Sequence, residues 1–325
     1  MIRRPPRSTL DRSSAASDVY KRQVYDYIHV GNARPLIIFD VLVRFLKLIY
    51  PKVTYVRNIT DVDDKIIVQA NQNKESINNL TERTIKAFSD DADALFVKKP
   101  DFEPRATEHI QEMLKMVKVL LENGNAYLSD GHVLFSVSSM PSYGKLSGMN
   151  LSEMIDGARV EVSDYKKEPA DFVLWKPSKT GELGWHSDFG FGRPGWHIEC
   201  SAMSEKYLGK QFDIHAGGLD LIFPHHENEI AQSCCAFNTE FMAKYWMHNG
   251  YITVNNEKMS KSEGNFITVR DALKKQDGET IRYAILSGHY RSPIDFSFKA
   301  LKAVSYTHLR AHETKANLVC RLLLE

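Results

Sequence analysis

Val24-Tyr25-Asp26-Tyr27-Ile28-His29-Val30-Gly31-Asn32-Ala33-Arg34, running on into the apolar Pro35-Leu36-Ile37-Ile38-Phe39, reads as a loop that turns into a helix. Gly31 allows close backbone approach, and Pro35 is tolerated in a first helical turn. The spacing predicts a helix from about Ala33 to Tyr50. Free N–H groups and the macrodipole at such a helix start attract phosphate. His29 and Asn32, three residues apart, would lie side by side there as donors to a nucleotide, although for this segment taken alone a surface cap is the favoured reading of His29. The β-branched and aromatic run Lys52 to Ile59 follows and reads as a strand. Strand and helix alternate as in a βαβ fold, so the predicted class is α/β.

The rest of the chain extends that pattern. Ser76 to Leu95 and Thr107 to Leu121 have helical spacing, the second stopping near Gly124. Ala126 to Val137, with Asp130-Gly131 between apolar runs, predicts a hairpin. Residues 140–192 are rich in Gly, Pro and Ser and suit a connective insertion between two halves of a Rossmann-like sheet. Phe212 to His215 reads as a strand and Phe223 to Ala236 as a helix. Tyr251 to Val254, an Asn255-Asn256 turn and Glu257-Lys258 follow, then helices at about Val269 to Lys275 and Glu279 to Ser287. The expected organisation is a first half over 24–139, the insertion over 140–192, a second half over 193–268 and C-terminal helices over 269–303. Residues 1–23 and 304–325 depart from this patterning. They are expected to be foreign tails outside the fold, the rival for the first being an organelle transit peptide.

Three constellations carry chemistry. In Lys258-Met259-Ser260-Lys261-Ser262 two lysines sit three apart among small hydroxyl residues. Two ammonium groups there can neutralise charge building on β- and γ-phosphates as pyrophosphate departs; alone, the stretch reads equally as a solvated turn. His225 and Glu229, four apart, project from one helix face and, with Cys200, make a set compatible with zinc. The bland alternative is a capping histidine, a salt-bridging glutamate and a structural cysteine. Gly217, Gly218 and Asp220 could let a nucleotide approach the backbone and hold a ribose hydroxyl, or form a plain turn.

Composition sets the bounds. The 325 residues are 43% hydrophobic and 26% charged, as in soluble globular proteins. A net charge of +1 gives no global nucleic-acid footprint, so any RNA contact must be local. The apolar runs are too short to span a bilayer. Four cysteines make no disulfide framework and fit a reducing cytosol.

Together, His29-Val30-Gly31-Asn32 and Lys258-Met259-Ser260-Lys261-Ser262 resemble the two signature motifs of class I aminoacyl-tRNA synthetases, with Asn32 where the first motif carries a second histidine. Asn still donates a neutral hydrogen bond. Tyr55 to Lys65, Gly195 to Met203 and Phe212 to Glu229 narrow the resemblance to cysteinyl-tRNA synthetases, over about Val24 to Ala303. The resemblance implies a Rossmann-like parallel sheet with a connective insertion and a helical stem-contact region. It implies ATP-dependent activation of L-cysteine to cysteinyl-adenylate and transfer to tRNA(Cys). It assigns His29, Asn32, Lys258 and Lys261 to catalysis and places them with Gly31, Gly217, Gly218 and Asp220 at the ATP. Thr60, Trp196 and His215 would line the cysteine pocket, and Cys200, His225 and Glu229 would hold one zinc ion. Magnesium is expected with ATP. The family's fourth zinc ligand is a cysteine just before the Val24 segment, where this chain has Lys21-Arg22-Gln23, so weakened zinc binding is expected. A cytoplasmic monomer with no membrane partner is expected, and the anticodon-binding region that the resemblance leads one to expect downstream is not recognisable before Glu325. Two rival readings are a cysteine ligase acting on an amino sugar in mycothiol biosynthesis, and an inactive fragment that binds only nucleotide.

Overall fold

The computed structural model describes residues 13–16, 24–149, 163–179, 181–254, 257–259 and 265–304. In chain order its strands are β1 (Ser13–Ala16), β2 (Val53–Val56), β3 (Ala126–Ser129), β4 (His132–Phe135), β5 (Phe172–Pro177), β6 (Trp185–Ser187), β7 (Gly190–Pro194), β8 (Phe212–Gly218), β9 (Ala243–Asn249), β10 (Ile252–Val254), β11 (Glu257–Lys258) and β12 (Ile294–Asp295). β2, β1, β8 and β9 form, in that order, a sheet whose every pair is parallel. Parallel neighbours cannot be joined by a tight turn, so helices carry the crossovers. Helix Val30–Ile49 lies between β1 and β2, and helix Glu227–Phe237 between β8 and β9. The two crossovers leave the adjacent strands β1 and β8 toward opposite edges of the sheet. Where strand order reverses in this way a crevice opens at the carboxyl ends, and open α/β sheets bind ligands there.

The position of β1 corrects the expectation that residues 1–23 stand outside the fold. Ser13, Ser14, Ala15 and Ala16 pair with Val53, Thr54, Tyr55 and Val56, and Ala15 also pairs with Ile214. Main-chain groups make these bonds whatever the side chain. Ser and Ala lack the branched or aromatic groups that mark a strand in sequence, so no pattern announced it. Residues 1–12, 17–23 and 305–325 lie outside the described residues.

The helix Val30–Ile49 starts three residues before its predicted position because His29 caps it. The His29 N–H donates to Asn32 Oδ1 at 3.2 Å. Pro35 therefore falls in the second turn rather than the first, where its missing N–H forfeits one intrahelical bond. The inner face packs Ala33, Leu36, Ile37 and Phe39 against Ala216 of β8 and against Ile252, Val269, Ile281 and Phe296. Phe39 is fully buried, and its truncation to alanine would cost about 3–5 kcal/mol. Helix Ile77–Ala94 begins where its sequence predicts, with the Ser76 hydroxyl accepting from the Asn79 N–H at 3.1 Å.

β3, β4, β5, β7 and β6 form a separate antiparallel sheet. Its hairpin turns at Asp130 and Gly131, both with positive φ (46° and 74°), as the Asp-Gly pair predicts. β4 pairs with β5, so the boundary expected at residue 140 cuts through this sheet, which begins at Ala126. Trp175, Phe135 and Leu174 pack there against helix Ile110–Glu122 and helix Ile198–Leu208. β11, β10 and β12 form a third small sheet, followed by helix Phe298–Val304. No helix among the described residues is long and apolar enough to cross a membrane.

Candidate functional site

The two signature segments meet at the start of the first helix. Val30 N–H donates to Ile267 O at 3.0 Å and Val269 N–H to Ile28 O at 2.9 Å, stitching the chain after the lysine stretch onto the helix start. The His29 ring packs edge-on to Phe266 at 5.0 Å between centroids. Gly31 is wedged between that ring and Met259: an added Cβ would lie 2.8 Å from His29 Nδ1 and 3.1 Å from Met259 Cε. Asn32 is buried, and its Nδ2 has no hydrogen-bond partner among the described residues. It is a donor available at a helix N-terminus. Lys258 ends β11, close in sequence to Met259, whereas Lys261 lies outside the described residues.

β8 runs three residues past the His215 end expected for it, so Gly217 and Gly218 lie inside the strand, paired with His248 and Asn249 of β9. A Cβ on Gly218 would meet Asp220 Oδ1, so the carboxylate of the exposed Asp220 folds back over the strand end. That end faces the reversal point of the sheet.

Cys200, His225 and Glu229 converge. A ligating atom of each lies within 4.8 Å of the other two, and all three residues are buried. Cys200 comes from helix Ile198–Leu208, His225 from the turn Ile222–His226, and Glu229 from the first turn of helix Glu227–Phe237. Glu229 Oε1 lies 2.9 Å from His225 Nε2 and Oε2 lies 3.4 Å from His215 Nε2, yet neither oxygen has an aligned hydrogen bond. Burial alone would raise this carboxyl, but the imidazoles of His215 and His225 outweigh it and hold Glu229 well below the usual carboxylate range. A fully buried carboxylate facing imidazole nitrogens and a thiol, without aligned donors, fits a cation, and the donor set suits zinc. Asn58 Nδ2 donates to Cys200 Sγ at 3.4 Å, and the Nδ1 atoms of His197 and His225 stand 2.8 Å apart, one donating and one accepting.

The expected pocket residues surround this cluster. Trp196 is 39% exposed, with its ring 5.0 Å from those of both His197 and His225. Thr60 is buried and its hydroxyl donates to Glu199 Oε2 at 3.0 Å, which commits that proton internally. His215 is buried, 4.8 Å between ring centroids from Trp246. Sequence reasoning missed His197, His226 and His248. His226 Nδ1 lies 2.8 Å from His248 Nε2, and His215, His226 and Glu229 form a second close group. Burial, aided by neighbouring imidazoles, pushes His226 well below its ordinary value; burial and then His215 and Arg291 push His248 down to about 4. His226 was findable as the neighbour of His225, but nothing local signalled His248.

A profile of the family described as "tRNA synthetases class I (C) catalytic domain" matches residues 13–306. The cysteine--tRNA ligase of Rhodospirillum centenum is 59% identical over 288 residues, which are 89% of this chain and 63% of that protein. That of Rhodospirillum rubrum is 59% identical over 279 residues, 86% of this chain and 61% of that protein. The chain thus spans under two thirds of the length of these relatives. In fold, it is similar to Mycobacterium tuberculosis methionyl-tRNA synthetase in complex with methionyl-adenylate, with a TM-score of 0.72 and 17% identity over 93% of this chain and 70% of that one. The family match takes in both signature segments, the Cys200–His225–Glu229 cluster and β1 itself, and the chain belongs to the class I (C) tRNA synthetase catalytic domains.

Proposed function

We propose that this chain activates L-cysteine with ATP and transfers it to tRNA(Cys), the reaction of a cysteine–tRNA ligase. In the first step a cysteine carboxylate oxygen bonds to the α-phosphorus of ATP. The bond from that phosphorus to the bridging oxygen breaks, and pyrophosphate leaves with the electron pair. Positioning and charge stabilisation do most of the work in such transfers. His29 and Asn32 stabilise the phosphates, Asn32 through its unpartnered Nδ2. Lys258 and Lys261 act on the pyrophosphate side, with Lys261 in direct contact with ATP, and magnesium accompanies the nucleotide. Gly217 and Gly218 admit the adenosine to the strand end, and Asp220 holds a ribose hydroxyl.

Trp196, His215 and Thr60 enclose the cysteine side chain. Cys200, His225 and Glu229 would hold zinc, which when bound favours a thiolate over a hydroxyl at neutral pH. Packing alone separates cysteine from serine by only a few kcal/mol. The observation that carries the reading is the meeting of a thiol, an imidazole and a carboxylate, all buried, in a chain that also joins the two signature segments.

Cysteine-dependent exchange of pyrophosphate into ATP tests the first step, with serine as control. Exchange that serine supports equally, or none while ATP still binds, would refute the reading. Acceptor assays test the second step: turnover with an amino-sugar inositol and none with tRNA would overturn the choice of acceptor.

A further inference from the structure

Arg34 is fully buried in the first helix, five residues beyond His29, and makes no ion pair among the described residues. A buried guanidinium without a carboxylate is costly, and burial pulls this one down to about 10. Main-chain carbonyls take the place of the missing anion. Nη1 donates to Tyr251 O at 2.7 Å, while Nη2 donates to Ser292 O at 2.6 Å and to His289 O and Tyr290 O at 3.2 Å each. Three of these oxygens already accept a main-chain N–H, from Ile294, Ser292 and Gly250 respectively for Tyr251, His289 and Tyr290. The cation therefore does more than satisfy orphaned acceptors: it gathers separate segments at one point, as a planar fork can and an ammonium cannot.

Those segments are the root of the small third sheet. Tyr251 leads into β10, which pairs with β11 and β12. Gly250 approaches the 291–292 chain so closely that a Cβ would lie 2.6 Å from Arg291 O and Ser292 O. Past β11, at the open end of the hairpin beside the start of β10, Met259 reaches back to Gly31. One guanidinium thus ties the helix start to the base of the hairpin whose second strand returns to it.

We infer that Arg34 is a positioning residue for adenylate formation, an inference resting on the reaction proposed above: by gathering the carbonyls of Tyr251, His289, Tyr290 and Ser292 it fixes the β10–β11 hairpin against the helix N-terminus that carries His29 and Asn32. Arg34→Met removes the charge and the fork, whereas Arg34→Lys keeps the charge alone. Hydrogen–deuterium exchange of the intact protein without substrate reads the geometry. R34M is expected to lose protection over 250–254 and 289–295, with R34K intermediate and β2, β8 and β9 unchanged. The first-order rate of adenylate formation does not depend on the folded fraction. It is expected to fall on the order of a hundredfold in R34M, with cysteine affinity held within about twofold.

Gly250→Ala presses on Ser292 O, one of the carbonyls that Arg34 gathers, so its effect should combine with that of R34K sub-additively. Should R34M not fold, R34K and G250A carry the same test. Unchanged exchange over 250–254, protection lost evenly along the chain, or a wild-type rate despite local deprotection would each overturn the inference. A wild-type protein that forms no adenylate would instead sink the proposed reaction, and the exchange pattern would still decide whether Arg34 holds the hairpin.

Discussion

Replacing Gly31 with alanine should separate stability from chemistry. Gly31 is the second residue of the helix, and alanine is a better helix former than glycine by up to about 1 kcal/mol. Against that gain, the new Cβ would lie 2.8 Å from His29 Cε1 and Nδ1, where ordinary contact begins at 3.4 Å, so the ring must retreat by about 0.6 Å. Met259 Cε, at 3.1 Å, must give by a few tenths of an ångström. Both obstacles are side-chain ends rather than backbone, so the helix can stay while the imidazole moves. A shift of that size in a phosphate-stabilising donor is expected to slow adenylate formation about tenfold to a hundredfold. The melting temperature should hold or rise by no more than about 2–4 °C. Calorimetry and cysteine-dependent pyrophosphate exchange on the same preparation provide the assay. A wild-type exchange rate in Gly31→Ala would refute the reasoning, as would a rate loss matched by a fall in melting temperature.

Other expectations concern the metal, the core and pH. With Cys200, His225 and Glu229 as donors, dialysed protein is expected to retain less than one zinc per chain by metal analysis, and near-stoichiometric, tightly held zinc would contradict this. Asn58→Leu removes the donor to Cys200 Sγ and should weaken zinc binding about 10–100-fold in chelator competition; an unchanged affinity would count against that contact. Asp40, 2% exposed, accepts from Arg44 Nε and the Lys98 N–H at 2.9 Å and from Arg282 Nη2 at 2.5 Å. Asp40→Ala removes the carboxylate that faces Arg282, leaving it only the Leu95 and Phe96 carbonyls, and should cost about 3–5 kcal/mol in urea unfolding, a loss under 1 kcal/mol being the refuting result.

Asp64 bridges Lys176 at 2.5 Å and Arg193 at 2.9 Å, joining the insertion sheet to helix Asp64–Asn73. Burial raises its carboxyl, but the two cations outweigh that and hold it below its ordinary 3.8. Its contribution is present at neutral pH and lost as pH falls through the lowered value. Asp64 is 54% exposed, so the contribution is under about 1 kcal/mol. The stabilities of wild type and Asp64→Asn should begin to converge as pH falls below about 4 and meet below the lowered value, and a gap that does not narrow with acid would refute the bridge.

What the residues alone determined was whatever depends on near neighbours. The Ser76 cap and the Asp130-Gly131 turn need only a few adjacent side chains and stand as the pattern predicts, whereas His225 stands in the turn Ile222–His226 ahead of the helix that carries Glu229. The long motifs carried the family for the same reason, since each is a contiguous run of functional residues. Tertiary structure decided the rest. β1 pairs through main-chain groups, so Ser13–Ala16 could take the middle of the sheet without any strand-like side chain. The helix started at Val30 because His29 and Asn32 close a cap, which moved Pro35 into the second turn. His248 meets His226 only because β9 lies beside β8. The carbonyls around Arg34 come from positions more than two hundred residues away in the chain. Backbone hydrogen bonds and burial act across space without regard to sequence separation, so a linear reading can supply the donors but not which of them meet.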